Sequence, residues 1–527
     1  MPSNRQGSPA LSAFAAVLLA LALPLSAFAQ NAAVDVLHYR VEIVLPADDG
    51  EIEAVAELTV RPVAASLESL KLDFAGLTID GVTVNGRAAS YERTGDQLTI
   101  ATRRHNADPF RVAIRYHGKP QDGLLLRENK YGHPAAFADN WPNRARYWIP
   151  SIDHPSDKAT VEFIVTARAA FDVIANGTLM STTTLENGTK RTHWSESTPI
   201  PVHCMVIGAT EFAIVPSGTG GGTEIAYWLY PRDREQGIRQ FGRVPEMLAH
   251  YAATIGPYPY DKLALVESST KFGGMENASA IFLDEKRIGV EGSLEALAAH
   301  EIAHQWFGDS VTQRQWHDVW LSEGFATYFC NLFFEHADGR AAFLERMHND
   351  RGDYLKAQQK EPRAIHDPSI VELPKLLGAF TYEKGAWVLH MLRGIMGDRA
   401  FFAAVRDYYS AYRDRNAGTG ELRVIMERHA SQPLDWFFQQ WIFERGHPVF
   451  ATNWTWQDGK VALDVEQKQS GTVFRVPTVI EVRSEAGARR ENVVIDERVE
   501  RFEVDSEERP SEVVLDPDEW VLKEMTQ

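Results

Sequence analysis

The sequence predicts an α+β chain of several domains: a large N-terminal β domain, a mainly helical central domain and a small C-terminal β-sandwich. Three observations carry this. Residues 35–230 alternate apolar and other side chains with period two, the mark of half-buried strands. From Arg232 to Gly446 the pattern turns mostly helical. From 449 to 527 it returns to β texture, as in Val461-Ala462-Leu463-Asp464-Val465 and Val513-Val514-Leu515. A chain of 527 residues exceeds one ordinary hydrophobic core and calls for three or four domains at ~150 residues each.

In the first domain, Tyr39, Val41, Ile43 and Leu45 alternate with other residues. So do Ile52, Ala54, Ala56, Leu58 and Val60, and later Phe110, Val112, Ile114 and Tyr116. Asn85-Gly86 suits a tight hairpin, because both residues tolerate positive φ. Gly218 to Gly222 reads as a hairpin loop between Phe212–Val215 and Ile225–Tyr230. The segments divide as 30–231, 232–447 and 448–527, preceded by residues 1–29.

Those first residues are a class of their own. Arg5 is the one charge before an apolar run from Leu11 to Leu25, and Ala27-Phe28-Ala29 is a small-x-small cleavage pattern. The run of ~15 residues is short of the ~20 that span a bilayer. This predicts a signal peptide cut before Gln30, export to the periplasm or the medium, and no stable membrane insertion afterwards. Its removal takes the net charge from −18 to −19. Such an acidic surface repels nucleic acid and anionic lipid. The two cysteines, Cys204 and Cys330, fall in different segments and are expected to be free, buried thiols.

The chemistry centres on His300-Glu301-Ile302-Ala303-His304. Residues four apart on a helix share a face, so the two imidazoles can hold one cation, with Glu301 one step round. Ser293 is placed to cap this helix, with Glu295 in its first turn and Gly308 as its stop. Glu323 lies 19 positions after His304, in Trp320-Leu321-Ser322-Glu323-Gly324, and Ser322 is a candidate cap for a second helix running to about Gly339. Two His, one carboxylate and one open position make a catalytic zinc site rather than a closed structural one.

Together these residues resemble the aminopeptidase N family of gluzincins, which includes the leukotriene hydrolase branch. The family's HExxH, 18 residues, then Glu is matched in spacing. Its G-A/G-M-E-N motif is matched by Gly273-Gly274-Met275-Glu276-Asn277, with Asn277 standing 23 positions before His300. Tyr258-Pro259-Tyr260-Asp261-Lys262 resembles a family segment too. So do Ala145 to Pro150 with Asp153, Pro155 and Lys158, Tyr382-Glu383-Lys384-Gly385, and Trp441 through Gly446-His447-Pro448. The resemblance covers nearly all of residues 35–525. It departs in two places. Many members carry a Glu or Gln shortly before the Ala-Arg pair to help hold the substrate amine. Here the matching place is near Trp141, with Asp139 and Asn140 beside it. Longer members also continue into a C-terminal helical domain that this short form does not show.

The resemblance implies a thermolysin-like central domain with one Zn2+ per chain on His300, His304 and Glu323. It implies hydrolysis of the N-terminal peptide bond of peptides with a free N-terminus. Glu301 would act as general base and Tyr382 as a hydrogen-bond donor to the developing oxyanion. Glu276 would hold the substrate ammonium, and Gly273, Gly274, Met275 and Asn277 would complete the binding loop. Rival readings are an epoxide hydrolase of the leukotriene type, a non-catalytic peptide-binding protein, and an endopeptidase, against which Glu276 argues. The preferred first residue, the natural substrate and the oligomeric state stay open.

Overall fold

The computed structural model describes residues 33–526 except 48, 49, 65, 105, 291 and 293. The expected signal peptide and the Ser293 cap lie outside the described residues. The N-terminal domain is built on an eight-stranded mixed sheet. At its centre Val34–Val44 pairs parallel with Lys158–Arg168 and antiparallel with Ile52–Pro62, bringing Val41 opposite Phe163 and Ala56. The alternation read from sequence is the burial pattern: Tyr39, Val41 and Ile43 point into the core, as do Ala56, Leu58 and Val60. The Asn85-Gly86 turn joins Thr78–Val84 to Arg87–Ala88, both residues at positive φ.

The hairpin Ala213–Gly220 and Thr223–Leu229, grouped above with the first domain, pairs instead into the sheet of the central domain. Thr223–Leu229 runs parallel to Lys262–Ser268, which runs parallel to Ala280–Asp284, and Gly274–Met275 forms the last strand. The glycine-rich motif is therefore the edge strand of a five-stranded sheet. Only one side of it is paired, through Leu283 and Phe282.

Four helices build the rest of the catalytic core: α1 (Glu295–His304), α2 (Trp320–Asp338), α3 (Arg340–Lys360) and α4 (Glu383–Met396). Helix α2 is apolar on nearly every face and is buried over most of its length, as expected of a helix packed on all sides. Its N-cap is Val319, not Ser322, which sits inside the first turn. Helices α2 and α4 cross at Gly324 and Gly385. A Cβ on either residue would come within 2.9 Å of the other's Cα, so only paired glycines permit this approach. The chain ends in a four-stranded and a three-stranded sheet, the expected small β-sandwich. It docks on α4 through Trp520, whose ring stacks on His390 at 4.6 Å. Both cysteines are free and buried. No helix among the described residues is long and apolar enough to cross a membrane.

The crossing gives a stability test. Gly385→Val places a branched side chain against the α2 backbone, and overpacking of this kind costs about 1–3 kcal/mol. We expect a lower denaturation midpoint than wild type. An unchanged midpoint would show that the helices are not held at this separation.

Candidate metal centre and cleft

Helix α1 puts His300 and His304 one turn apart, and the first turn of α2 brings Glu323 to them. The two Nε2 atoms are 3.0 Å apart, and Glu323 Oε2 is 3.3 Å from His300 Nε2 and 3.2 Å from His304 Nε2. In a tetrahedral zinc site with ligand bonds of about 2.0–2.1 Å, neighbouring donors stand about 3.3–3.4 Å apart. The three donors thus lie close to the corners that one zinc ion requires.

The imidazole tautomer is also arranged. His304 Nδ1–H donates to the Phe307 carbonyl oxygen at 3.1 Å, with Ser322 Oγ 3.0 Å away, which turns the Nε2 lone pair toward Glu323 and His300. Ser322, read from sequence as a cap, serves the ligand instead. Gly308 supports this packing. It adopts φ +130°, and a Cβ there would lie 2.4 Å from Ser322 Oγ.

Three carboxylates surround this point. Glu276, Glu301 and Glu323 are only 7%, 5% and 5% exposed. Ligating atoms of Glu276, Glu301 and His304 all fall within 4.8 Å of one another. Burial pushes Glu301 well above the usual carboxylate range, reinforced by Glu276 and Glu323. Burial and Glu323 also raise Glu276. Burial would raise Glu323 too, but the two imidazoles hold it down to about 2. Burial opposes a charge on His304, yet Glu323, Glu276 and Glu301 pull its pKa well above the ordinary value. The field at this imidazole thus favours positive charge, and a divalent cation supplies it. His300 is shifted down by burial, toward the neutral form that ligates.

Tyr382 immediately precedes α4, and its ring stacks on His300 with centroids 5.8 Å apart. The Gly324–Gly385 crossing places it there, since Gly324 follows Glu323 and Gly385 lies three residues after Tyr382. Burial, then the three glutamates, raise its pKa well above 10, so the hydroxyl keeps its proton and is a donor.

Gly273, Gly274, Met275 and Glu276 line the same cavity, of about 490 Å³, as the histidines and Tyr382. Gly274 is glycine for a visible reason: a Cβ there would sit 2.2 Å from Glu301 Oε1. Asn277, expected in the binding loop, is fully buried and is not among the residues lining the cavity. Its backbone carbonyl instead accepts from Ala280 N, turning the chain into the neighbouring strand.

The doubt around Trp141 also resolves. Asp139 is engaged by Arg144 and by the Lys271 amide at 2.9 Å. Asn140 donates to the Met205 carbonyl at 2.6 Å and accepts from Trp148 Nε1 at 2.8 Å. Of the three, only Trp141 lines the cavity.

One organising residue escaped the sequence reading. Gln305, next to His304 and fully buried, donates to the Glu276 carbonyl and to Asp309 Oδ2, and accepts from the Ser279 amide at 2.8 Å. It ties the metal helix to the glycine-rich motif. From the N-terminal domain, Asn176 donates to the Ala278 carbonyl at 2.7 Å and the Gly177 amide to Ser279 Oγ at 2.8 Å. A polar side chain on the face of α1 shared with Glu301, four residues on, was the available hint for Gln305.

Comparison with known proteins agrees with this geometry. A profile of the peptidase M1 N-terminal domain matches residues 36–203, and one of the peptidase family M1 domain matches residues 240–441. The probable aminopeptidase 2 of Sulfurisphaera tokodaii is 26% identical over 434 residues, 78% of this chain and 54% of the relative. The tricorn protease-interacting factor F2 of Thermoplasma acidophilum is 28% identical over 408 residues, 73% of this chain and 51% of the relative. The leukotriene A-4 hydrolase of Xenopus laevis is 26% identical over 442 residues, covering 78% and 71%. This chain thus spans about half the length of the archaeal relatives it matches. Among solved structures, the M1 zinc metallopeptidase of Deinococcus radiodurans superimposes with a TM-score of 0.67 at 24% identity, covering 79% of this chain and 95% of that one. With its N-terminal and catalytic regions both matched, the chain belongs to peptidase family M1.

Proposed function

We propose that the protein is a zinc-dependent aminopeptidase that removes the first residue of peptides with a free N-terminus. The observation that carries this is the placement of Glu276. A buried carboxylate beside a two-His, one-Glu tripod can pair with a substrate ammonium and so set which bond reaches the reactive point. An endopeptidase has no use for a carboxylate at that place. A binding protein derived from the same fold would have no need to keep Glu301 together with all three ligands.

His300, His304 and Glu323 would hold the zinc, which supplies Lewis acidity toward the scissile carbonyl and lowers the pKa of water. The remaining work belongs to the chain. Glu301, raised in pKa and packed against Gly274, accepts a proton from the attacking water and passes it to the leaving nitrogen. The Tyr382 hydroxyl donates to the oxygen that gains charge at the tetrahedral carbon. Glu276 binds the ammonium, while the open side of the Gly274–Met275 edge strand offers its backbone to the substrate. The apolar run and the Ala27-Phe28-Ala29 pattern support export, with the mature chain working in the periplasm or outside the cell.

Three outcomes follow for the purified protein. His300→Ala and Glu323→Ala should each lose stoichiometric zinc by elemental analysis, and chelation should abolish wild-type activity. Full zinc content in both variants contradicts the ligand set. Glu301→Gln should keep its zinc and lose about 10²- to 10⁴-fold in kcat, whereas a wild-type kcat would remove Glu301 as the base. For Tyr382→Phe we expect a fall of about 10²- to 10³-fold in kcat with little change in KM, as for loss of an oxyanion donor. A change confined to KM would assign the tyrosine to ground-state binding. Wild-type enzyme should cut N-acetylated peptides poorly, and efficient cleavage of these would refute the exopeptidase reading.

A further inference from the structure

The cleft has two chemically different ends. At one, Trp141, Met275, Trp316, Val319 and Leu376 form an apolar cluster separate from the main core, with Phe272 and Leu377 packed against it. Trp141 is 4% exposed and meets Phe272 and Trp316 edge to face, with centroids 5.8 and 5.6 Å away. Trp141, Phe272, Met275 and Leu377 line the cavity beside Glu276. At the other end the lining comes from α2 and α3 and is polar, with Thr327, Asn331, Arg346 and Asp350. There Asn331 holds Asp350 at 2.7 Å and Arg346 at 2.8 Å.

Glu276 fixes which end receives the first side chain of a substrate. That side chain leaves the carbon bonded to the ammonium, so it projects toward the wall next to the carboxylate. Glu276 directly follows Met275 in the edge strand, and Met275 belongs to the apolar cluster. The rest of the peptide leads away toward the polar end.

Resting on the aminopeptidase reading, we propose that Trp141 is the specificity-determining residue for the first position and selects large apolar side chains such as those of leucine and phenylalanine. The indole stands at the place where family resemblance expects a Glu or Gln. Its neighbours Asp139 and Asn140 are committed elsewhere and cannot substitute. The wall therefore offers an apolar surface and no carboxylate. An apolar side chain gains by leaving water against it, whereas a lysine or arginine side chain would give up water without meeting a counter-charge.

The test uses a series of aminoacyl substrates with one common leaving group and leucine, phenylalanine, alanine, lysine, arginine or aspartate in first position. For the wild type, kcat/KM for leucine and phenylalanine should exceed that for lysine and aspartate by about 10- to 100-fold, the range expected for burying one such side chain. Trp141→Ala should collapse the leucine-to-alanine ratio mainly through KM, and Trp141→Glu should move the preference toward lysine and arginine. Zinc content and denaturation midpoint identify any variant that has not folded. In folded variants, an unchanged leucine-to-alanine ratio in Trp141→Ala, or an unchanged lysine-to-leucine ratio in Trp141→Glu, overturns the proposal. If no substrate is cleaved by any of the proteins, the aminopeptidase reading fails. Calorimetric titration of wild-type protein with leucinamide and lysinamide still tests the pocket. Tighter binding of leucinamide supports it and equal affinity overturns it.

Discussion

Everything at this site depends on three glutamates being buried within a few ångströms of one another. Unpaired buried carboxylates are costly, and like charges at this distance raise one another's pKa. Glu323 is spared because two imidazoles face it, and its pKa falls to about 2. Glu301 and Glu276 have no such relief and are raised. A divalent cation on the tripod and an ammonium beside Glu276 neutralise the excess together. The same electrostatic demand therefore accounts for metal affinity, for a base that holds a proton between steps, and for recognition of a free N-terminus.

Holding such a charge cluster in place requires a stiff frame. The frame comes from packing that leaves no room for side chains at three glycines. Gly274 lets the edge strand lie against Glu301, Gly308 lets the turn after α1 reach Ser322, and Gly324 with Gly385 lets α2 and α4 touch backbone to backbone. Gln305 then locks the edge strand to α1, and Asn176 and Gly177 brace it from the N-terminal domain. Lys158, from the same domain, donates to the Asp309 and Ser310 carbonyls at 2.8 and 2.6 Å, just beyond α1. The β domain thus acts as the far wall of the catalytic one rather than as an independent module.

Much of this was legible in sequence because it is local. Period-two alternation located the first sheet, since each strand buries one face. Spacing of four located the two imidazoles on one helical face, and the residues around Glu323 identified the third donor. The parts that were not legible depend on partners far apart in the chain. The hairpin of residues 213–229 looks like its β neighbours in sequence and joins the central sheet only because Lys262–Ser268 offers a parallel edge. Ser322 has the residue type of a helix cap, and only the folded chain shows its hydroxyl against His304. Asn277 belongs to the motif but faces inward, because the edge strand turns there into Ala280–Asp284. Asp139, Asn140 and Trp141 were indistinguishable until the contacts of the first two were seen.

The central claim is that His300, His304 and Glu323 hold a single zinc ion with a fourth position open. X-ray absorption at the zinc edge of the purified protein tests it most directly. The account predicts one zinc per chain with only nitrogen and oxygen neighbours at about 2.0–2.1 Å, two of them imidazoles. A sulfur neighbour at about 2.3 Å, which would draw Cys204 or Cys330 into the site, contradicts it, as does a protein that binds no zinc at all.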